Sequence, residues 1–271
     1  MTQDYPLVNS DKERRRLKMQ AAALVPLTER MLAGAGIGPG SRVLELGCGG
    51  GDVTRLIAHR VGSAGEVLAM DRDPSQVEAA AECVLSAGHR NVRFVVAEME
   101  GFQPQGTFDA VVGRYFLLYM PNPEATLDAA VKWVRPGGCL AFLEMDFFRG
   151  VRSRIWPPAS AETNQALEFI GDVLLDAGIN PDMATRLPSI LSRHGEVEAE
   201  VSAPIQFGAA SVELPLEAVR SVIPVARKLG RADADRHDVD ALLSAELASR
   251  DGHTVTIPPL SVAAWVHVNR R

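Results

Sequence analysis

From residue 41 onward, short uninterrupted apolar runs alternate with longer stretches in which apolar residues recur every three or four positions. RVLELG reads as a strand, DVTRLIAHRV as a helix, EVLAMD as a strand, and PSQVEAAAECVLSAG as a helix opened by Pro74 and closed by Gly88. VRFVVAE and FDAVVG predict two more strands. PNPEATLDAAVKWVRPGG predicts a helix stopped by Pro136-Gly137-Gly138, and GCLAFLEMDF a fifth strand. Strands built from continuous Val, Leu and Ala runs have no polar face to give to water. The helical stretches between them must cover both sides, which predicts a parallel, doubly wound α/β sheet.

The flanks are less regular. Ser10 with Glu13 predicts a capping box for a helix running to about Val25, where Pro26 ends it and opens a second short helix toward Gly34. Beyond residue 150, TNQALEFIGDVLLDAG predicts an amphipathic helix and VEAEVSAPIQFG a strand. LPLEAVRSVIPVARKLG and DVDALLSAELASR predict two more helices before a closing strand, LSVAAWVHV.

Candidate chemistry concentrates in VLELGCGGGDVT, residues 43–54, where an acid is followed by Gly47, Gly49, Gly50 and Gly51. In a doubly wound sheet, ligands bind at the carboxyl ends of strands beside the switch in strand order, and glycine lets them touch the main chain. Asp71 ends the second strand twenty residues after Gly51, where a carboxylate can accept both hydroxyls of a ribose. Loop and acid together specify a nucleoside-containing cofactor. A dinucleotide fingerprint would need its third glycine where Asp52 stands, and a carboxylate at a helix N-terminus repels a pyrophosphate. An NAD-dependent oxidoreductase is therefore the weaker alternative. Glu45 adds an anion suited to a cofactor carrying a sulfonium and an α-ammonium group.

Over roughly residues 37–147 the chain resembles the class I S-adenosylmethionine-dependent methyltransferases of the small-molecule type, as in quinone and secondary-metabolite biosynthesis. The resemblance rests on VLELGCGGG, the acid of AMDRDP, VAEME, and FDAVVGRYFLLYMPNPEATLDAAVKWVRPGG. It implies a Rossmann-like, mostly parallel, seven-stranded sheet in a single domain over 1–271. Residues 1–36 would form an N-terminal helical lid, 37–150 the cofactor-binding core, and 151–271 the substrate-side completion of the sheet, with a helical cap at about 209–253. By position, the resemblance implies that Gly47, Cys48 and Gly49 line the methionine part of S-adenosyl-L-methionine and Asp71 binds the ribose. Arg72 would flank the adenine, with Glu98 and Met99 at its edge, and Arg114 and Tyr115 would lie beside the methionine moiety. Gln20 would close over the cofactor from the N-terminal helix. The implied reaction is in-line SN2 methyl transfer to O, N or C. Cofactor binding without transfer is the alternative within the same fold.

Related enzymes often carry a Leu-His pair after the fourth strand. Here Leu118 precedes Tyr119, which removes the obvious base and leaves Tyr115, Tyr119 and Glu144 as candidate catalytic groups. Glu144 and Asp146 invite a metal reading, but Gly113-Arg114 stands where catechol-type enzymes place another acid, so no metal is predicted. MPNPE replaces the signature of DNA amino-group methylation.

Composition narrows the partners. With 28 basic against 34 acidic residues the net charge is −6, which disfavours a nucleic-acid partner. The RRR run at 14–16 reads as a solvated helix face. Cys48, Cys83 and Cys139 lie too far apart for metal spacing and are expected to be free thiols. No apolar run has membrane-spanning length and no apolar segment follows the basic start, so the expectation is a cytoplasmic protein. The resemblance implies a small-molecule substrate, and FFRGVRSRIWPPAS, the helical insertion and IPPLSVAAW are expected to enclose a partly apolar one. Nothing in the pattern argues against a homo-oligomer. Phe147, Phe148, Trp156 and Trp265 read equally well as core or as substrate contacts.

Overall fold

The computed structural model describes residues 11–146, 155–250 and 252–268, with side chains from residue 21 onward. Its elements in chain order begin with α1 (Asp11–Gly34), β1 (Arg42–Leu46), α2 (Asp52–Val61), β2 (Glu66–Asp71), α3 (Pro74–Ser86), β3 (Val92–Val96) and β4 (Phe108–Arg114). There follow α4 (Pro123–Ala130), β5 (Val134–Met145), β6 (Ile155–Trp156), α5 (Ala161–Asp176), α6 (Met183–Leu191) and β7 (Val197–Ser202). The chain closes with β8 (Gln206–Phe207), α7 (Ala210–Lys228), α8 (Val239–Ala248), β9 (Val255–Thr256) and β10 (Ser261–His267). Two compact units result, one from Val25–Met145, Met183–Val201 and Ser261–Arg271, the other from Met1–Leu24, Asp146–Asp182 and Ser202–Leu260.

The first unit holds the predicted seven-stranded sheet, in the order β3-β2-β1-β4-β5-β10-β7. β1 pairs in parallel with both β2 and β4, while β10 runs antiparallel to β5. The chain therefore winds outward from β1 to β3, then returns to the other side of β1, which makes β1/β4 the topological switch point. Val43, Leu44, Glu45 and Leu46 are all buried, as are Cys139 through Leu143, so helices cover both faces as the continuous apolar runs require. The core joins Leu27, Met31 and Leu32 of α1 to Ile57 and Val61 of α2 and to Trp265 of β10. Local signals start the helices as read: Asp73 accepts from the Ser75 amide with Pro74 in the first turn, and Asn122 does the same for Ala125 with Pro123.

Three boundaries differ from the sequence reading. α1 runs unbroken through Pro26, because Leu27, Met31 and Leu32 recur on one buried stripe whose burial outweighs the hydrogen bond that proline removes. Ser10 and the Glu13 side chain, the proposed capping box, lie outside the described residues. β5 begins at Val134, ahead of Pro136-Gly137-Gly138, which are absorbed in a register shift against β4. VEAEVSAPIQFG divides between β7 and β8, which belong to different sheets.

In the second unit α5, α7 and α8 carry the helical stretches predicted there, and β6-β9-β8 form a small antiparallel sheet. Among the described residues no helix is long and apolar enough to cross a membrane.

Candidate functional site

Register brings the loop, the acid and the arginine to one level. Leu46 of β1 pairs with Met70 of β2 and with Gly113 of β4, so Gly47, Asp71 and Arg114 each follow by one residue at the carboxyl edge. The turn itself is held by hydrogen bonds: the Cys48 amide donates to the Met70 carbonyl at 2.9 Å, and the Gly51 amide to the Cys48 carbonyl at 2.9 Å. Asp71 reaches across, one oxygen accepting from the Gly49 amide at 2.9 Å and the other from the Asp73 amide at 3.0 Å.

Two glycines show why the turn must be bare. Gly51 has φ 85°, and a Cβ there would meet the Ala80 Cα of α3 at 2.8 Å, so this glycine permits the close helix approach. Gly49 has φ 48°, and a Cβ there would meet nothing within 4 Å, which leaves its main chain open to a ligand. The missing third glycine of a dinucleotide fingerprint is thus no packing defect, because Gly51 does that work one position earlier.

Behind the loop lies a desolvated set of polar groups. Glu45 is 2% exposed; its Oε2 and the Arg114 Nη1 are buried with no hydrogen-bond partner, and the Thr54 hydroxyl is buried beside the carboxyl. Burial pushes the Glu45 carboxyl up to about 8, against the opposing pull of the Thr54 hydroxyl and the Arg114 charge. Burial also draws Arg114 below the usual guanidinium value, with Tyr115, Asp52 and Glu45 restoring part of it. The Cys48 thiol lies well above the ordinary thiol range, first because it is buried and then because Glu45 and Asp71 are near, so it is no nucleophile. Unpaired buried polar atoms cost roughly 1–3 kcal/mol each, which marks the cluster as one shaped for a ligand.

Other predicted positions divide. Arg72 and Glu98 are exposed and Met99 is half-buried; the Asp71 carbonyl accepts from the Ala97 amide at 2.9 Å, which fixes where the Glu98-Met99 segment leaves the sheet. Tyr115 has φ 54°, a real outlier for a bulky residue, and its hydroxyl lies 3.0 Å from Ser261 Oγ. Tyr119 ends the 3₁₀ turn Leu117–Tyr119. Glu144 is fully buried and accepts from the amides of Phe116 at 3.1 Å, Leu117 at 2.8 Å and Leu118 at 3.3 Å. Burial pushes it up to about 8 while those amides pull it down. Its oxygens hold the turn after β4, which fits a structural part. Gln20 falls within α1, but its side chain lies outside the described residues, as do Phe147 and Phe148. Thr54 escaped the sequence reading. Its signal was a hydroxyl on the inward stripe of α2, between Val53 and Ile57.

Fold, switch-point loop and strand-end acid together define a Rossmann-like domain for a nucleoside cofactor. Residues 43–138 match a family model described as a methyltransferase domain. The chain is 34% identical over 130 residues to aklanonic acid methyltransferase DauC of Streptomyces sp. (strain C5), covering 47% of this chain and 59% of that protein. It is 36% identical over 112 residues to the ubiquinone/menaquinone biosynthesis C-methyltransferase UbiE of Ectopseudomonas mendocina, covering 41% and 44%. The chain thus spans about half the length of the curated relatives it matches. Coclaurine N-methyltransferase, solved with N-methylheliamine and SAH, shares the fold at a TM-score of 0.55 and 16% identity, over 89% of this chain and 72% of that one. The resemblance to class I S-adenosylmethionine-dependent methyltransferases is therefore borne out in both sequence and fold.

Proposed function

We propose that this protein is an S-adenosylmethionine-dependent methyltransferase acting on a small, partly apolar molecule. When bound, the cofactor supplies an electrophilic methyl group to an O, N or C nucleophile in line with its sulfur. The observation that carries the reading is the pairing of a buried, unpartnered carboxylate oxygen on Glu45 with a buried, unpartnered guanidinium nitrogen on Arg114. The amino-acid end of the cofactor carries one group of each opposite kind, an ammonium for Glu45 and a carboxylate for Arg114. Asp71 keeps free lone pairs for ribose hydroxyls after serving Gly49 and Asp73, and the open main chain at Gly49 can lie against the nucleoside. Arg72, Glu98 and Met99 are the side chains available to the adenine.

The remaining task of the protein is alignment. Holding two reactants in line is worth effective molarities of about 10⁵–10⁸ M, so no general base is required for an acceptor that arrives with a free lone pair. Tyr115 and Tyr119 are the hydroxyl groups nearest in sequence to the strand-four edge should the acceptor need deprotonation. Calorimetry with S-adenosylmethionine, followed by transfer of isotope-labelled methyl into a panel of small acceptors, tests both halves. Micromolar binding and label in an acceptor are expected. Lack of heat with the wild-type protein overturns the cofactor, and label that stays on a bound cofactor overturns transfer.

A further inference from the structure

The ring of Phe116 stands on the glycine turn. Phe116 comes two residues after Arg114, is half-buried, and fills the space that a side chain at Gly47 would need. A Cβ on Gly47 would meet the Phe116 Cδ2 at 2.7 Å, its Cε2 at 3.4 Å and its Cγ at 3.6 Å. The increase from Cδ2 to both neighbouring ring atoms is too steep for an approach over the ring face, so the ring meets the main chain edge-on. Its faces are not spent on Gly47. Among the described residues, neither another aromatic ring nor a protein cation is stacked on them.

We propose that Phe116 is a specificity residue that offers a ring face to the positive sulfur of the cofactor and so tells the methyl donor from its neutral demethylated product. The inference rests on the methyltransferase reading above. Order along the turn carries the placement. Glu45 and Arg114 suit the amino-acid end of the cofactor, and Gly49 and Asp71 suit the nucleoside; Gly47 lies two residues from Glu45 and two from Gly49. A molecule held at both ends passes Gly47 with the sulfur that joins its two parts. An aromatic face attracts a cation through the ring quadrupole, an attraction that a neutral thioether does not share.

The ring is set in place before a ligand arrives. Glu144 Oε1 accepts from the amides of Phe116 and Leu117, and on the preceding side the Tyr115 amide donates to the Leu143 carbonyl at 2.8 Å. Gly113 leaves room beneath: a Cβ there would meet the Phe116 Cβ at 3.3 Å and the Phe142 Cε1 at 2.7 Å. A side chain whose backbone is held from both directions loses little freedom on binding. Once the methyl group has left, the molecule in the site carries an uncharged sulfur, and the Phe116 face no longer favours it. Spent cofactor is held less firmly at this point than fresh.

The test uses the full chain and needs no methyl acceptor. Calorimetry compares S-adenosylmethionine with S-adenosylhomocysteine, which differ in the methyl group and its charge. Phe116→Leu, apolar but without a ring face, should weaken the first by about three- to thirtyfold and the second by less than about twofold. Phe116→Tyr, which keeps the face, should leave both within about twofold of the wild type. A second measurement needs no substitution: the methyl resonance of S-adenosylmethionine carrying carbon-13 in that group should move upfield on binding the wild-type protein, as a group held over a ring face does. Equal losses for the two molecules in Phe116→Leu, undiminished S-adenosylmethionine binding in that variant, or a bound methyl resonance that does not move upfield overturns the role of Phe116 and leaves the cofactor assignment standing. Wild-type protein that takes up neither molecule overturns the cofactor assignment itself, and this inference with it.

Discussion

Buried charge is treated in opposite ways in two parts of this molecule. At the carboxyl edge of β1 and β4, Glu45 and Arg114 are desolvated and left with unpartnered atoms. Beside the small sheet, Glu246 and Arg250 are just as buried, yet each is bonded to the other and to backbone. A satisfied buried pair is a structural fastening, whereas an unsatisfied one is a vacancy of hydrogen bonding that a ligand can fill. Glu144 sharpens the contrast, because it lies one sheet position from the site and still spends itself on three amides.

If that distinction holds, variants should separate stability from binding. The largest effect is expected for Arg250→Met, which strands the Glu246 carboxylate; urea unfolding should report a loss of about 3–5 kcal/mol with cofactor affinity unchanged. Glu45→Gln should do the reverse, lowering S-adenosylmethionine affinity by about 10–100-fold in calorimetry while leaving the free protein at least as stable at pH 8.

The pH dependence has a definite sign. A carboxyl whose folded value is raised from 4.5 to about 8 binds its proton more tightly in the native state, so its contribution is full below about pH 4.5 and disappears as pH climbs through 8. The melting temperature of the ligand-free protein should fall between pH 5 and 8, less steeply in Glu45→Gln, with Glu144 supplying the residual slope. Affinity for a cationic cofactor should rise over the same window, because it needs the ionised form. The smallest effect belongs to Arg30→Ala, which breaks an ion pair to Glu200 with both partners exposed; under about 1 kcal/mol is expected by urea unfolding.

The parallel centre of the sheet was legible because β1 and β4 are apolar on both faces and α3 and α4 carry ordinary caps. Where proline stood inside a buried stripe, as at Pro26 in α1, local punctuation misled, since tertiary burial decides there. The two-residue strands β6, β8 and β9 are too short to show any period. At the site, the loop and Asp71 could be read from spacing alone. Glu144 could not: its amide partners come from a different element some 27 residues away, and only the folded chain brings them together. Arg114 was placed beside the cofactor from the resemblance, but the loneliness of its Nη1 appears only in three dimensions.

The double grip of Asp71 on Gly49 and Asp73 has one more outcome. Any molecule arriving at this rim meets a contour already set, with little left to rearrange. Association should accordingly run at a rate governed by encounter instead of by folding of the turn, and carry only a modest entropic penalty.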